Sequence, residues 1–189
     1  MEITALLKTC SVIISHSLAS GIIAVESNGK PYVVNVNVKN ALQSYSFNDE
    51  KEAIKKSKAL IESGHSIDMG MAQINSANLK KLGVGVDDIF EPCENLNAMQ
   101  TVFLWGYNLP ADKGLTLQEK EIAAISRYNT GSPVNGIKNG YVGKVIAARM
   151  AAMSGEKKEI IVTRENVETK ANDSFVSVPD GFSKLRHTE

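Results

Sequence analysis

The sequence lacks an excess of charge of either sign. Lys plus Arg and Asp plus Glu stand at 21 each. Without a basic stripe, nothing suggests a nucleic-acid surface. It also lacks a long apolar run: none approaches the roughly 18 residues that suggest a membrane span. Histidine is scarce, and His16, His65 and His187 are scattered. No Cys or His pair has metal-ligand spacing, so no metal site is expected. Only two cysteines occur, Cys10 and Cys93. They allow one bridge, and composition alone does not decide between that bridge and two buried thiols. The N-terminus, Met1-Glu2-Ile3-Thr4-Ala5-Leu6-Leu7-Lys8, is amphipathic at helical spacing. It lacks a basic start and a long apolar core, so it is not a signal peptide as it stands. Either the protein is cytosolic or a signal has been removed.

What is present is enough for a core: 189 residues, 43% of them hydrophobic. That fits one domain plus a tail. The chain turns on Leu18-Ala19-Ser20-Gly21-Ile22-Ile23-Ala24-Val25-Glu26. Leu18, Ile22, Ile23 and Val25 suit a helix buried over most of its surface. Glu26 closes it, with Ile22 four residues back and Ile23 three, on the core-facing stripe. The turn Ser27-Asn28-Gly29-Lys30-Pro31 follows. Burial disfavours the charged form of a carboxyl group, which is the setting of a general acid. At an unperturbed pKa of about 4.3, about 0.2% of such groups hold a proton at pH 7; near 6, roughly 10% do. The plainer reading is a partly solvated Glu at a helix end.

Tyr32 to Val38 is β-branched. Val34, Val36 and Val38 alternate with Asn35 and Asn37, as in a half-exposed strand. A second strand, Ser44-Tyr45-Ser46-Phe47, completes a hairpin past Lys39-Asn40. Asp49 with Glu52 has capping-box spacing and opens a helix that Gly64 ends. Residues 66–75 read as extended, with Ile67, Met69 and Met71 against Asp68 and Gly70. Ser76 caps a short helix, Ala77 to Leu82, closed by Gly83. Pro92 starts a helix carrying Leu96, Met99, Phe103 and Trp105. A loop covers 109–115. Thr116 with Glu119 opens a helix that Asn129-Thr130-Gly131 breaks. After a Gly/Pro/Asn-rich loop, Tyr141 to Met153 forms a last helix with Val142, Val145, Ile146 and Met150 inside. The expected fold is mostly α (α+β): a helical domain over residues 1–154 with a small antiparallel hairpin sheet. Residues 155–189 have scattered charge and no sustained periodicity, so they read as a loosely ordered tail.

Four blocks stand in order: Val25-Glu26-Ser27-Asn28-Gly29, Asp68-Met69-Gly70-Met71-Ala72-Gln73-Ile74-Asn75, Phe90-Glu91-Pro92-Cys93-Glu94-Asn95-Leu96 and Ser126-Arg127-Tyr128-Asn129-Thr130-Gly131. Together they resemble the lysozyme-like soluble lytic transglycosylase family, and within it the branch that serves type IV secretion systems. The resemblance covers about residues 10–150. It implies a lysozyme-like fold with the sheet beside a catalytic cleft. It implies cleavage of the glycan strands of peptidoglycan between N-acetylmuramic acid and N-acetylglucosamine, giving a 1,6-anhydro product without metal or organic cofactor. The rival readings are a hydrolytic muramidase and a non-catalytic glycan-binding assembly factor.

Residue by residue, the resemblance makes Glu26 the catalytic acid/base and gives Ser27 an orienting part. It places Gly70, Met71, Gln73 and Ile74 along the cleft, the Gln73 amide reaching the sugar. Tyr128 and Asn129 belong over the same site. Asn28-Gly29-Lys30-Pro31 departs from the Gly-Gly-Asn-Pro or Gly-Phe-Asn-Pro often found in the family. Asp68 is the one second carboxylate candidate in the blocks, and local backbone hydrogen bonds in a turn are its simpler use. The resemblance also pairs Cys10 with Cys93. It thereby implies a periplasmic protein whose signal peptide is absent from this numbering. The tail is the expected docking segment for other secretion components.

Overall fold

The computed structural model describes residues 3–38 and 41–154. Residues 155–189, where the tail is expected, lie outside the described residues. The chain forms two compact units, Met1–Thr101 and Val102–Glu189.

The first unit opens with α1 (Ile3–Cys10) and α2 (His16–Glu26). Ser15 caps α2, its Oγ accepting from the Leu18 N–H at 3.3 Å. Leu18, Ala19, Ile22 and Ile23 are buried, and the last two are 0% and 1% exposed. Burying side chains of this size stabilises by about 1.5–3 kcal/mol each, which seats α2 in the core. Next come β1 (Val33–Val38), β2 (Ala41–Ser46), α3 (Glu50–Glu62), β3 (Ile67–Met69) and β4 (Ile74–Asn75). The strands form one antiparallel sheet in the order β2-β1-β3-β4. Val34 lies opposite Met69, and Met69 opposite Ile74. All three are buried. One residue on, Asn35 lies opposite Asp68 and Asp68 opposite Asn75. The two-residue period therefore divides the sheet into an apolar and a polar face.

The stretch 66–75 is not one extended run. It folds back at residues 70–73, where Gly70 and Gln73 take φ of +77° and +52°. The alternation ends at Met69 because Gly70 adopts a backbone conformation that strands do not use. Asn75, rather than Ser76, then caps the next turn by accepting from the Ala77 N–H. The helical segment there is a 3-10 turn (Ser76–Asn78) followed by α4 (Leu79–Leu82), which Gly83 closes at φ +72°.

α5 (Pro92–Tyr107) starts in the first unit. Cys93 in its first turn is bonded to Cys10 at the end of α1, a disulfide closing 83 residues of chain. A loop of that length corresponds to about 4–5 kcal/mol in the chain-entropy account. Buried Gln100 reinforces the same junction, donating to the Cys10 carbonyl and accepting from the Ile13 N–H, both at 2.8 Å.

In the second unit α6 (Leu117–Thr130) carries the full capping box of Thr116 and Glu119. It runs through Asn129 and Thr130 and stops only at Gly131, φ +71°. A short α7 (Asn135–Lys138) occupies part of the expected loop, and α8 (Tyr141–Met153) follows. Val142 and Val145 of α8 are buried, as their spacing predicts. Ile146 and Met150 are 36% and 64% exposed. Their apolar character had placed them inside, but the buried stripe runs through Tyr141, Val142, Val145 and Ala148 instead. Among the described residues, no helix is long and apolar enough to cross a membrane.

Candidate active site

Glu26 is the last residue of α2 and is half-buried. The turn after it begins at once. Ser27 is the C-cap, its N–H bonding to the Ile23 carbonyl at 3.1 Å. Asn28 and Gly29 have φ of +54° and +78°. A helix that ends this abruptly presents its final side chain at a fixed point rather than on a fraying turn. The Ser27 Oγ is buried with no protein partner. An unpartnered buried hydroxyl is a cost to the fold, and this one belongs to the residue next to Glu26.

The second block forms a tight loop between β3 and β4. Met71, Gln73 and Ile74 are 4%, 8% and 2% exposed. Met71 and Ile74 therefore pack inward. The Gln73 amide is locked: its Nε2 donates to the Gly70 carbonyl at 2.8 Å and to the Val33 carbonyl at 3.3 Å. Its Oε1 is buried without a partner. Gln73 thus holds the loop with one end of its amide and leaves a fixed acceptor at the other.

Asp68 is not in a turn and does not bond to local backbone. It sits mid-strand in β3, and its two carboxylate oxygens accept from Asn75 Nδ2 at 2.7 Å and Asn37 Nδ2 at 3.0 Å. Burial pushes its pKa up, and the hydrogen bonds from Asn75 and Asn37 oppose that. Both oxygens are engaged in tying β1, β3 and β4 together, so this carboxylate is committed to the sheet.

In the second unit Tyr128 and Asn129 lie on the last turn of α6, Tyr128 half-buried and Asn129 exposed. Asn129 Oδ1 accepts from Asn139 Nδ2 at 3.0 Å. Ser126, two residues earlier, donates to the Ser132 carbonyl at 2.6 Å and accepts from the Gly136 N–H at 2.9 Å. Among the described residues, no group of three or more His, Cys, Asp or Glu side chains is arranged to hold a metal ion.

Residues 8–149 match the description "Transglycosylase SLT domain". The chain belongs to the SLT transglycosylase family. Protein virB1 of Rhizobium radiobacter is 33% identical over 144 residues, 75% of this chain and 58% of that protein. Protein virB1 of Agrobacterium fabrum is 32% identical over 144 residues, 75% and 56%. The type IV secretion system protein virB1 of Brucella abortus is 28% identical over 149 residues, 76% and 62%. The chain therefore spans less than two thirds of the length of these relatives. No solved structure matches it.

Within this SLT domain the sequence blocks hide one side chain that organises the loop. Asn95 is 1% exposed. Its Nδ2 donates to the carbonyls of Ile89 at 2.8 Å and Met69 at 3.1 Å, and its Oδ1 accepts from the Ala72 N–H at 2.8 Å. An Asn two residues after a Cys gives no sign of this in sequence. Gly70 is the matching half: a Cβ there would lie 2.2 Å from Asn95 Nδ2. Gly70→Ala is therefore expected to cost about 3 kcal/mol or more in urea unfolding, combining left-handed strain with displacement of the Asn95 amide. Gly83 is the control. Its φ is +72° but a Cβ would meet nothing within 4 Å, so Gly83→Ala is expected to cost only about 1 kcal/mol. Equal losses at the two positions would refute the part given to Asn95.

Proposed function

We propose that this SLT domain cleaves the β-1,4 bond between N-acetylmuramic acid and N-acetylglucosamine in peptidoglycan, with Glu26 acting first as acid and then as base. Glycoside cleavage needs a proton on the leaving oxygen and stabilisation of an oxocarbenium-like centre. Glu26 gives its proton to the glycosidic oxygen as the bond from C1 breaks. The 6-hydroxyl of the same muramic acid then attacks C1, and its proton returns to the Glu26 carboxylate. The product carries a 1,6-anhydro ring, no water is consumed, and the enzyme ends as it began. The N-acetyl group assists the intermediate. In the first unit Ser27 and the fixed Gln73 Oε1 supply polar contacts to the glycan; in the second, the Tyr128 hydroxyl and Asn129 do the same.

The observation that carries this reading is the division of labour between two carboxylates. Glu26 ends a buried helix beside an unpartnered hydroxyl. Asp68, the second carboxylate candidate of the blocks, spends both oxygens on amides of the sheet. One carboxylate suffices if the substrate supplies its own nucleophile, and the 6-hydroxyl provides it. Mass spectrometry of the soluble fragments released from purified sacculi tests this. Anhydro ends, one water lighter than reducing ends, are expected. Reducing ends alone would make the protein a hydrolase.

The name of the Brucella abortus relative, type IV secretion system protein virB1, supports a type IV secretion system as the setting of this activity. The disulfide between Cys10 and Cys93 suits an oxidising compartment, and the site of action proposed is the periplasm. Residues 155–189 are proposed to dock other components of that system.

A further inference from the structure

The second unit contains an ion pair that the chemistry above does not use. Asp112 is completely buried, and the Arg127 side chain is 8% exposed. The two meet as a fork: Arg127 Nη1 donates to Asp112 Oδ2 at 2.5 Å and Nη2 to Oδ1 at 2.7 Å. Nη1 also donates to the Gly106 carbonyl of α5 at 2.8 Å. Gly106 lets the two helices approach, since a Cβ there would stand 3.3 Å from Arg127 Cβ. Withdrawing two charges from water is costly, and apolar side chains of similar volume often hold a fold as well or better. A pair like this is a poor way to gain stability. It is a good way to fix direction, because a guanidinium fork accepts a carboxylate in one plane only.

What it fixes is the last turn of α6. Tyr128 follows Arg127 in sequence, about 100° further round the helix. On the other side of that turn Ser126 is tied to Ser132 and Gly136. Gly136 has no room for a side chain there, because its Cβ would lie 2.7 Å from Ser126 Cα. Residues 126 and 127 are thus anchored in two directions, and Tyr128 leaves from a turn that does not rotate. We propose that Asp112, through Arg127, is a positioning residue that sets the Tyr128 hydroxyl for glycan cleavage. This rests on the part given to Tyr128 above. Misplacing a reacting group by about 1 Å can cost up to about 100-fold in rate.

The test is a double-mutant cycle on sacculus cleavage with four chains. They are the wild type, Tyr128→Phe, the apolar swap Asp112→Leu with Arg127→Met, and all three changes together. The swap is expected to fold, with a melting temperature equal to the wild type's or higher, and to lower kcat by about 10- to 100-fold. In the Tyr128→Phe chain it is expected to add nothing, because the pair acts through that hydroxyl. If circular dichroism shows the swap unfolded, Arg127→Lys replaces it. That variant keeps the charge but loses the fork, and the same expectation applies. Wild-type kcat in the substituted chain, or an effect that multiplies with that of Tyr128→Phe, overturns the proposal. Wild-type kcat in Tyr128→Phe alone instead removes Tyr128 from the reaction, and the proposal with it. Neither result touches Glu26, whose own variant is read separately.

Discussion

Glu26→Gln is expected to slow release of soluble fragments from sacculi by about 100- to 10,000-fold, the range by which a positioned acid/base contributes. The amide keeps the size and shape of the carboxyl group, so the end of α2 is left undisturbed. It has no proton that an amide can give to a glycosidic oxygen, and as a neutral group it cannot take one from the 6-hydroxyl. The loss should fall on kcat, since the contacts proposed to bind the strand are made by other residues. Circular dichroism and the melting temperature should match the wild type, because α2 is held by its buried stripe and by its Ser15 cap. Cleavage at the wild-type rate by a folded Glu26→Gln chain would remove Glu26 from the chemistry and with it the one-carboxylate mechanism.

Local signals carried much of the fold. The Thr116–Glu119 box lies where its spacing puts it. The valine and asparagine alternation became β1, and Tyr141 to Met153 became α8. These features depend on neighbours within a turn or a strand, which a sequence displays. The misreadings share the opposite property. Residues 70–73 looked extended because Met71 continues the alternation of Ile67 and Met69. The fold-back there is set by Gly70 and by Asn95, more than twenty residues away. Sequence alone points Asp68 to a local turn, because its partners Asn37 and Asn75 are on other strands. Ile146 and Met150 were placed inside on apolar character, whereas which stripe of a helix is covered depends on its neighbours in space.

The site shows the same limit. Glu26 stands out as a candidate in the sequence because an acid at the end of an apolar run breaks the local pattern. The groups that hold the surroundings rigid do not, because Asn95, Asp112 and Gln100 are ordinary polar residues until their partners are known. A buried polar side chain becomes informative only through its bonds. All three bind backbone or an ion partner fifteen or more residues along the chain. Such residues keep the acting side chains still, which matters as much to a catalyst as the groups that react.

Asn95→Ala is accordingly expected to be among the most damaging substitutions outside the acid itself. It removes a hydrogen bond from the Met69 and Ile89 carbonyls and from the Ala72 N–H together. Each buried group left unpaired costs about 1–3 kcal/mol, so a loss of about 3–5 kcal/mol is expected in urea unfolding. Against a usual total of 5–15 kcal/mol, that is a large fraction. The cavity left is polar on three sides, and a water molecule in it would recover part of the loss. Asn95→Leu has nearly the shape of Asn but excludes water and offers no bond, so it should be worse than Ala. That order, Leu below Ala, separates lost hydrogen bonds from lost packing, since packing alone would make Leu the milder change. A loss under about 1 kcal/mol for Ala would mean that the loop at 70–73 is held by Gln73 and its own turn. The cleavage rate of the folded fraction should fall as well, because Gln73 sits on the loop that Asn95 anchors.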